Sequence, residues 1–94
     1  MATFLMLGKY SREAVRGISA KRTNDALSLA KKLGGKIISI HALVGKYDLM
    51  IMVELPGVPQ LIKFSVALNK LTGVGFTSSP AISAKEFDRL FAKK

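Results

Sequence analysis

Apolar-rich segments of strand length and segments of helical spacing follow one another as strand, helix, strand, strand, helix, strand, and a short capped helix follows them. That order, with a hairpin at its middle, predicts an α+β fold of the ferredoxin-like βαββαβ kind, in which both crossover helices cover one face of an antiparallel sheet. A second observation bears on the other face. Of the 94 residues 49% are hydrophobic, the formal net charge is +9, and there is no cysteine. One small domain spanning residues 1–94 cannot bury that much apolar surface alone, and no disulfide supports its core. The uncovered sheet face is therefore expected to pack against a second copy of the chain.

Residues 3–10 read as a central strand, broken only by Gly8, where a bulge or a close approach is expected. Ser11 and Gly17 cap and stop a single helical turn. In the helix at 20–33, Thr23, Ala26, Leu27, Ala30 and Leu33 make the apolar stripe, Lys31 and Lys32 suit the carbonyl end, and Gly34-Gly35 ends it. Residues 36–44 and 47–55 form a hairpin around Gly45-Lys46, a pair that suits a type II′ turn. This register sets Val44 against Tyr47, Leu43 against Asp48 and His41 against Met50.

Alternation then assigns Ile38, Ile40, Ala42, Val44, Tyr47, Leu49, Ile51, Val53 and Leu55 to the core face. Ile37, Ser39, His41, Leu43, Asp48, Met50, Met52 and Glu54 fall on the other, too apolar for open water and too polar for a dry core. The helix at 59–71 is apolar around most of its circumference, so burial on more than one side is expected. Residues 74–82, rich in Thr and Ser and interrupted by Pro80, form an edge strand. Ser83-Ala84-Lys85-Glu86 is a capping box ahead of Phe87, Leu90 and Phe91. A helix of two turns does not stand alone, so this one is expected to dock on its own domain or on a neighbour.

Gly45-Lys46-Tyr47-Asp48 shows a Gly-x-Tyr-Asp pattern at the head of the third strand. Tyr10 ends the first strand, Gly34-Gly35 breaks the first helix, Glu54-x-Pro56 closes the third strand, and Thr77-Ser78-Ser79-Pro80-Ala81 leads to Glu86-Phe87. In the order and spacing of these features the chain resembles the GYD-domain family over nearly its whole length. The resemblance implies a dimeric α/β barrel and attaches no activity to it. Many members have a basic residue at the start of the fourth strand, where this chain has Gly75-Phe76, so the anion contact of those members is not implied here. Residues 38–82 resemble more loosely the ligand-sensing domain of Lrp/AsnC-type regulators, which have a similar Gly-x-x-Asp turn, bind small amino acids at subunit interfaces and assemble as dimers or larger rings. No DNA-binding helix-turn-helix is read in the sequence, so this likeness implies a metabolite rather than an operator. Small cofactor-independent monooxygenases share the barrel by architecture only.

His41 is the sole histidine. In the hairpin register it lies diagonal to Asp48, about 7–8 Å away, which suits either a general base working through a water or an ordinary interface hydrogen bond. Asp48, beside a tight turn, is also placed to accept backbone N–H groups. Tyr10, at a strand end, is the third catalytic candidate, and Tyr47 is expected as a buried aromatic. The candidate ligand contacts are Ser39, His41, Asp48, Glu54, Thr77 and Ser79, with Gly45, Tyr47 and Asp48 forming the turn motif. One histidine with two carboxylates matches no metal-ligand spacing, and Met6, Met50 and Met52 read as interface filling, so neither metal nor cofactor is expected.

Eight basic residues against Glu13 and Asp25 place +6 of the charge between positions 9 and 36. With one nearby aromatic and no groove-reading motif, Arg12, Arg16, Lys21, Arg22, Lys31 and Lys32 read first as a solvated face and only second as an anion or nucleic-acid surface. No secretory leader and no membrane span is read in the sequence. The expected function is that of a small cytoplasmic homodimer or larger oligomer, binding a small metabolite in the barrel cavity or at a subunit interface. The alternatives are a monooxygenase- or isomerase-like enzyme using His41 with Asp48 or Tyr10, and anion or nucleic-acid binding through the basic helix.

Overall fold

A computed structural model describes residues 1–92; Lys93 and Lys94 lie outside the described residues. The elements run β1 (Ala2–Tyr10), α1 (Arg12–Arg16), α2 (Ala20–Lys32), β2 (Lys36–Ala42), β3 (Leu49–Leu55), α3 (Val58–Thr72), β4 (Val74–Pro80) and α4 (Ala84–Leu90). The strands form one antiparallel sheet in the order β2-β3-β1-β4, the expected ferredoxin-like topology with β1 central and β4 at an edge. Gly8 makes the close approach expected of it. A methyl group there would lie 2.8 Å from both the Phe76 ring and Val74 Cγ1.

The core lies on one side of the sheet. Phe4 and Met6 of β1 and Ile51, Val53 and Leu55 of β3 meet Ala26 and Ala30 of α2 and Leu61, Phe64 and Leu68 of α3. Alanines at the α2 contact let that helix come close to the sheet, and Phe64 fills the centre with no exposure. The stripe of α2 is rotated from the expected one, because Leu29 packs against the core while Leu27 is exposed. The helix ends in a Schellman motif, with Gly35 N–H donating to Ala30 O (3.0 Å), Gly34 N–H to Lys31 O (3.0 Å), and Gly34 at φ 85°. Gly35 sits where a methyl would collide with the Glu54 carbonyl oxygen and lie 2.8 Å from Leu55 Cδ2.

The second strand departs from simple alternation. His41 pairs with Met50 and Ala42 with Leu49 as expected, but the register shifts between Ile37 and Ser39, so Ile37 pairs with Val53 and Lys36 with Glu54. This bulge inserts one residue and reverses the assignment of the two isoleucines. Ile37 packs on the core, and Ile38 is turned out and half exposed. The strands also end sooner than expected at the hairpin, so Val44 is fully exposed rather than a core residue. Tyr47 is half-buried in the turn, with Lys46 Nζ 5.7 Å from its ring centre.

The remaining ends are local chemistry. Ser11, Ser19 and Ser83 cap α1, α2 and α4 by accepting from Ala14, Arg22 and Glu86 N–H, and Gly73 closes α3 in the left-handed region. Helix α3 buries one side only. Val58, Ile62 and Val66 on its back are exposed, because a single helical layer leaves nothing behind it to cover them. Two substitutions test these packing limits. Gly35→Ala is expected to lower stability by about 3 kcal/mol or more, while Gly75→Ala, where a methyl meets no atom, changes it by less than about 0.5 kcal/mol. Urea unfolding of both variants measures the contrast.

Candidate functional site

The Gly-x-Tyr-Asp turn joins three strands at one end of the sheet. Asp48 N–H donates to Gly8 O (2.8 Å), and Asp48 O accepts from Leu43 N–H (2.8 Å). Its carboxylate Oδ2 accepts from Tyr10 N–H (2.9 Å), and Lys9 Nζ donates to Lys46 O (3.1 Å). The Asp48 side chain thus continues the β3–β1 ladder beyond the last strand pair, receiving an N–H that the ending strand would otherwise leave unpaired. Gly45 takes φ 138°, a conformation that favours glycine, although a methyl there would meet no neighbouring atom.

Beyond this turn the open face of the sheet, opposite the helices, holds most of the candidate residues. Ser39, Met52, Leu5 and Ser79 form one row across the four strands, and His41, Met50, Leu7 and Thr77 form the next. Lys36, Glu54 and Thr3 make a third, with Lys36 Nζ 3.9 Å from Glu54 Oε1. The centre is apolar and its two edges are polar. Because β2 and β4 are the outer strands, Ser39 and His41 stand about 14 Å from Thr77 and Ser79, three strand spacings apart. Within one chain these groups frame a surface and do not converge on a point. Where β4 gives way to α4, the face deepens into a cleft of about 490 Å³ bordered by Thr3, Met52, Glu54, Ser83 and Glu86.

Tyr10 lies on the other side of the sheet from His41. It shares the helix side with Phe4, Met6 and Gly8, and the Arg22 guanidinium stands 5.8 Å from its ring centre while donating through Nη1 to Ala14 O (2.6 Å). Tyr10, Arg22, Thr23 and Thr72 border a small cavity of about 60 Å³ floored by Ile51, Leu68 and Phe76. Arg12, Arg16, Lys21, Lys31 and Lys32 are exposed, and Lys21 pairs with Asp25 at 3.1 Å. Among the described residues no three His, Cys, Asp or Glu side chains gather as a metal site, and no helix is long and apolar enough to cross a membrane.

This arrangement of strands and turn matches known proteins at two levels. The family model described as the GYD domain covers residues 4–91. The chain belongs to the GYD domain family. Among solved structures, this GYD domain is similar to the leucine response regulatory protein LrpA of Mycobacterium tuberculosis, with a TM-score of 0.58 and 10% identity. The match covers 88% of this chain and 51% of that one, so the GYD domain spans about half of the regulator's length and shares its fold. No curated protein matches the sequence.

The cleft residues Thr3, Ser83 and Glu86 were not visible as site residues in the sequence of the GYD domain, and Arg22 was read there only as part of a basic surface, not as a partner of Tyr10. Arg22 differs from Lys21 only in which side of α2 meets Tyr10, and no sequence pattern marks that. The turn motif is legible, and its role is open to test. Asp48→Ala is expected to lower stability by about 1–2 kcal/mol by leaving the Tyr10 N–H without its acceptor. His41→Ala, at an exposed position, changes it by less than about 0.5 kcal/mol. Parallel urea titrations of the two variants distinguish them.

Proposed function

We propose that this GYD domain acts as a homodimer that holds a small metabolite between two sheet faces. The observation that carries the reading is the open face itself, with Leu5, Leu7, Met50 and Met52 in its middle and Ser39, His41, Thr77 and Ser79 at its edges. An apolar centre with a polar rim is the composition of a protein interface. A two-fold axis running along the strands sets β4 of one copy over β2 of the other. Thr77 and Ser79 of one copy then face Ser39 and His41 of the second, so groups about 14 Å apart in one chain come together twice across the dimer.

Those paired rims offer hydroxyl groups and one imidazole beside methionine and leucine side chains. They suit a small ligand with polar ends and an apolar body, of amino-acid size. The name of the leucine response regulatory protein with the same fold supports that ligand class.

The protein is expected to run at twice its chain mass in light scattering after size exclusion, and Leu7→Asp at the mass of one chain. A panel of small amino acids is expected to raise the melting temperature of the dimer, with the shift reduced by His41→Ala and by Thr77→Ala. A parent protein that stays monomeric at micromolar concentration, or a dimer whose melting no member of the panel shifts, overturns the corresponding half of the proposal.

A further inference from the structure

The last helix has the marks of a segment whose binding surface lies elsewhere. None of the α4 side chains is buried. Phe87 is 55% exposed and Leu90 and Phe91 are each 71% exposed, although they fall at i, i+3 and i+4 on one helical side. The two phenylalanine rings touch each other, with centroids 5.2 Å apart. Seven helical residues do not hold their shape in water without packing, so this stripe requires a surface to cover it.

The dimensions of the whole chain agree. The radius of gyration is 14.4 Å, against about 12.4 Å for a compact domain of this length. The exposed area is 6578 Å², about 1,300 Å² more than a folded monomer of 10.2 kDa presents. An interface of standard size takes about 800 Å² from each partner, so the surplus is enough for a stable dimer.

We propose that α4 is an arm exchanged between two copies. It lays Phe87, Leu90 and Phe91 over the β2 edge of the second copy, against the Ile38 that the bulge turns outward, and covers the interface site from its rim. The inference rests on the homodimer reading above. Distance favours the partner's edge over the chain's own. The arm leaves from β4, and its own β2 lies at the far edge of the same sheet, about 14 Å away across the open face. The connection, residues 81–83, makes four Cα steps from Pro80 to Ala84 and spans about 13–14 Å when extended. Packed sheets lie about 10 Å apart, so the same three residues cross to the β2 that the two-fold axis places opposite β4. The bulge at Ile38 would otherwise leave a large apolar side chain on an exposed strand edge, where it invites aggregation. The arm covers both apolar surfaces at once.

The absence of cysteine makes the test direct. In the Ile38→Cys/Phe87→Cys variant, mild oxidation is expected to give a covalent dimer on a non-reducing gel, and neither single variant gives it in comparable yield. Phe87→Ser/Phe91→Ser is expected to weaken self-association about 100-fold while leaving the circular dichroism of the sheet and the core unchanged. If the parent dimerises and the double serine variant dimerises equally tightly, the arm is refuted and the sheet-face dimer stands. A disulfide formed within one chain refutes the arm as well, by showing that α4 folds back. A monomeric parent overturns both readings together.

Discussion

Four strands and one layer of helix can bury only one side of a sheet, and that limit organises this domain. Phe4, Met6, Ile51, Val53 and Leu55 are closed over by α2 and α3, and the alanines at positions 26 and 30 bring the helix near enough to do it. The opposite face receives no such cover. Its central rows carry Leu5, Leu7, Met50 and Met52, side chains that gain by leaving water. The same shortage of layers leaves the back of α3 and the whole of α4 in solvent. In the proposed dimer, the apolar surplus of the open face becomes the interface.

The turn that names the family has a structural job that is visible in its hydrogen bonds. Asp48 connects to β1 twice, through its own N–H to Gly8 and through its carboxylate to Tyr10, and to the Leu43 N–H once. It thereby fixes the end of the central strand to the hairpin and sets the register on which both faces depend, since a slip of one residue would exchange them. At the other end of the hairpin, the bulge at Ile38 performs the opposite operation, exchanging the faces for the first residues of β2. Between these two points Ser39 and His41 are held on the open face.

Basic charge is gathered on one side of the molecule. The exposed lysines and arginines of α1 and α2 lie on the helical side and remain in water, where Val58, Ile62 and Val66 of α3 are exposed as well, and Phe87, Leu90 and Phe91 add an apolar stripe at α4. A charged side of this sort favours solubility, and in the proposed dimer it points away from the interface. In the proposed dimer, binding chemistry is drawn from two chains. Hydroxyls on β4 and the hydroxyl and imidazole on β2 are too far apart to act together in one copy, and a two-fold axis is the simplest operation that joins them.

The order of elements, the helix ends at Gly17 and Gly34, the cap at Ser83 and the hairpin register near His41 were legible in the sequence, because each follows from contacts between residues close along the chain. Period-two alternation also sorted most of β3 correctly. It failed at Ile37 and Ile38, since a bulge answers to the packing of the strand against its neighbours and leaves no local signature. Val44 failed because the strands end at Ala42 and Leu49, short of it. The sequence by itself determined a one-sided α+β sheet with apolar surface to spare. Only the tertiary structure decided where that surface lies, because placing Arg22 over Tyr10, parting Tyr10 from His41, and carrying Phe87 and Phe91 away from the core all depend on contacts between segments distant in the chain.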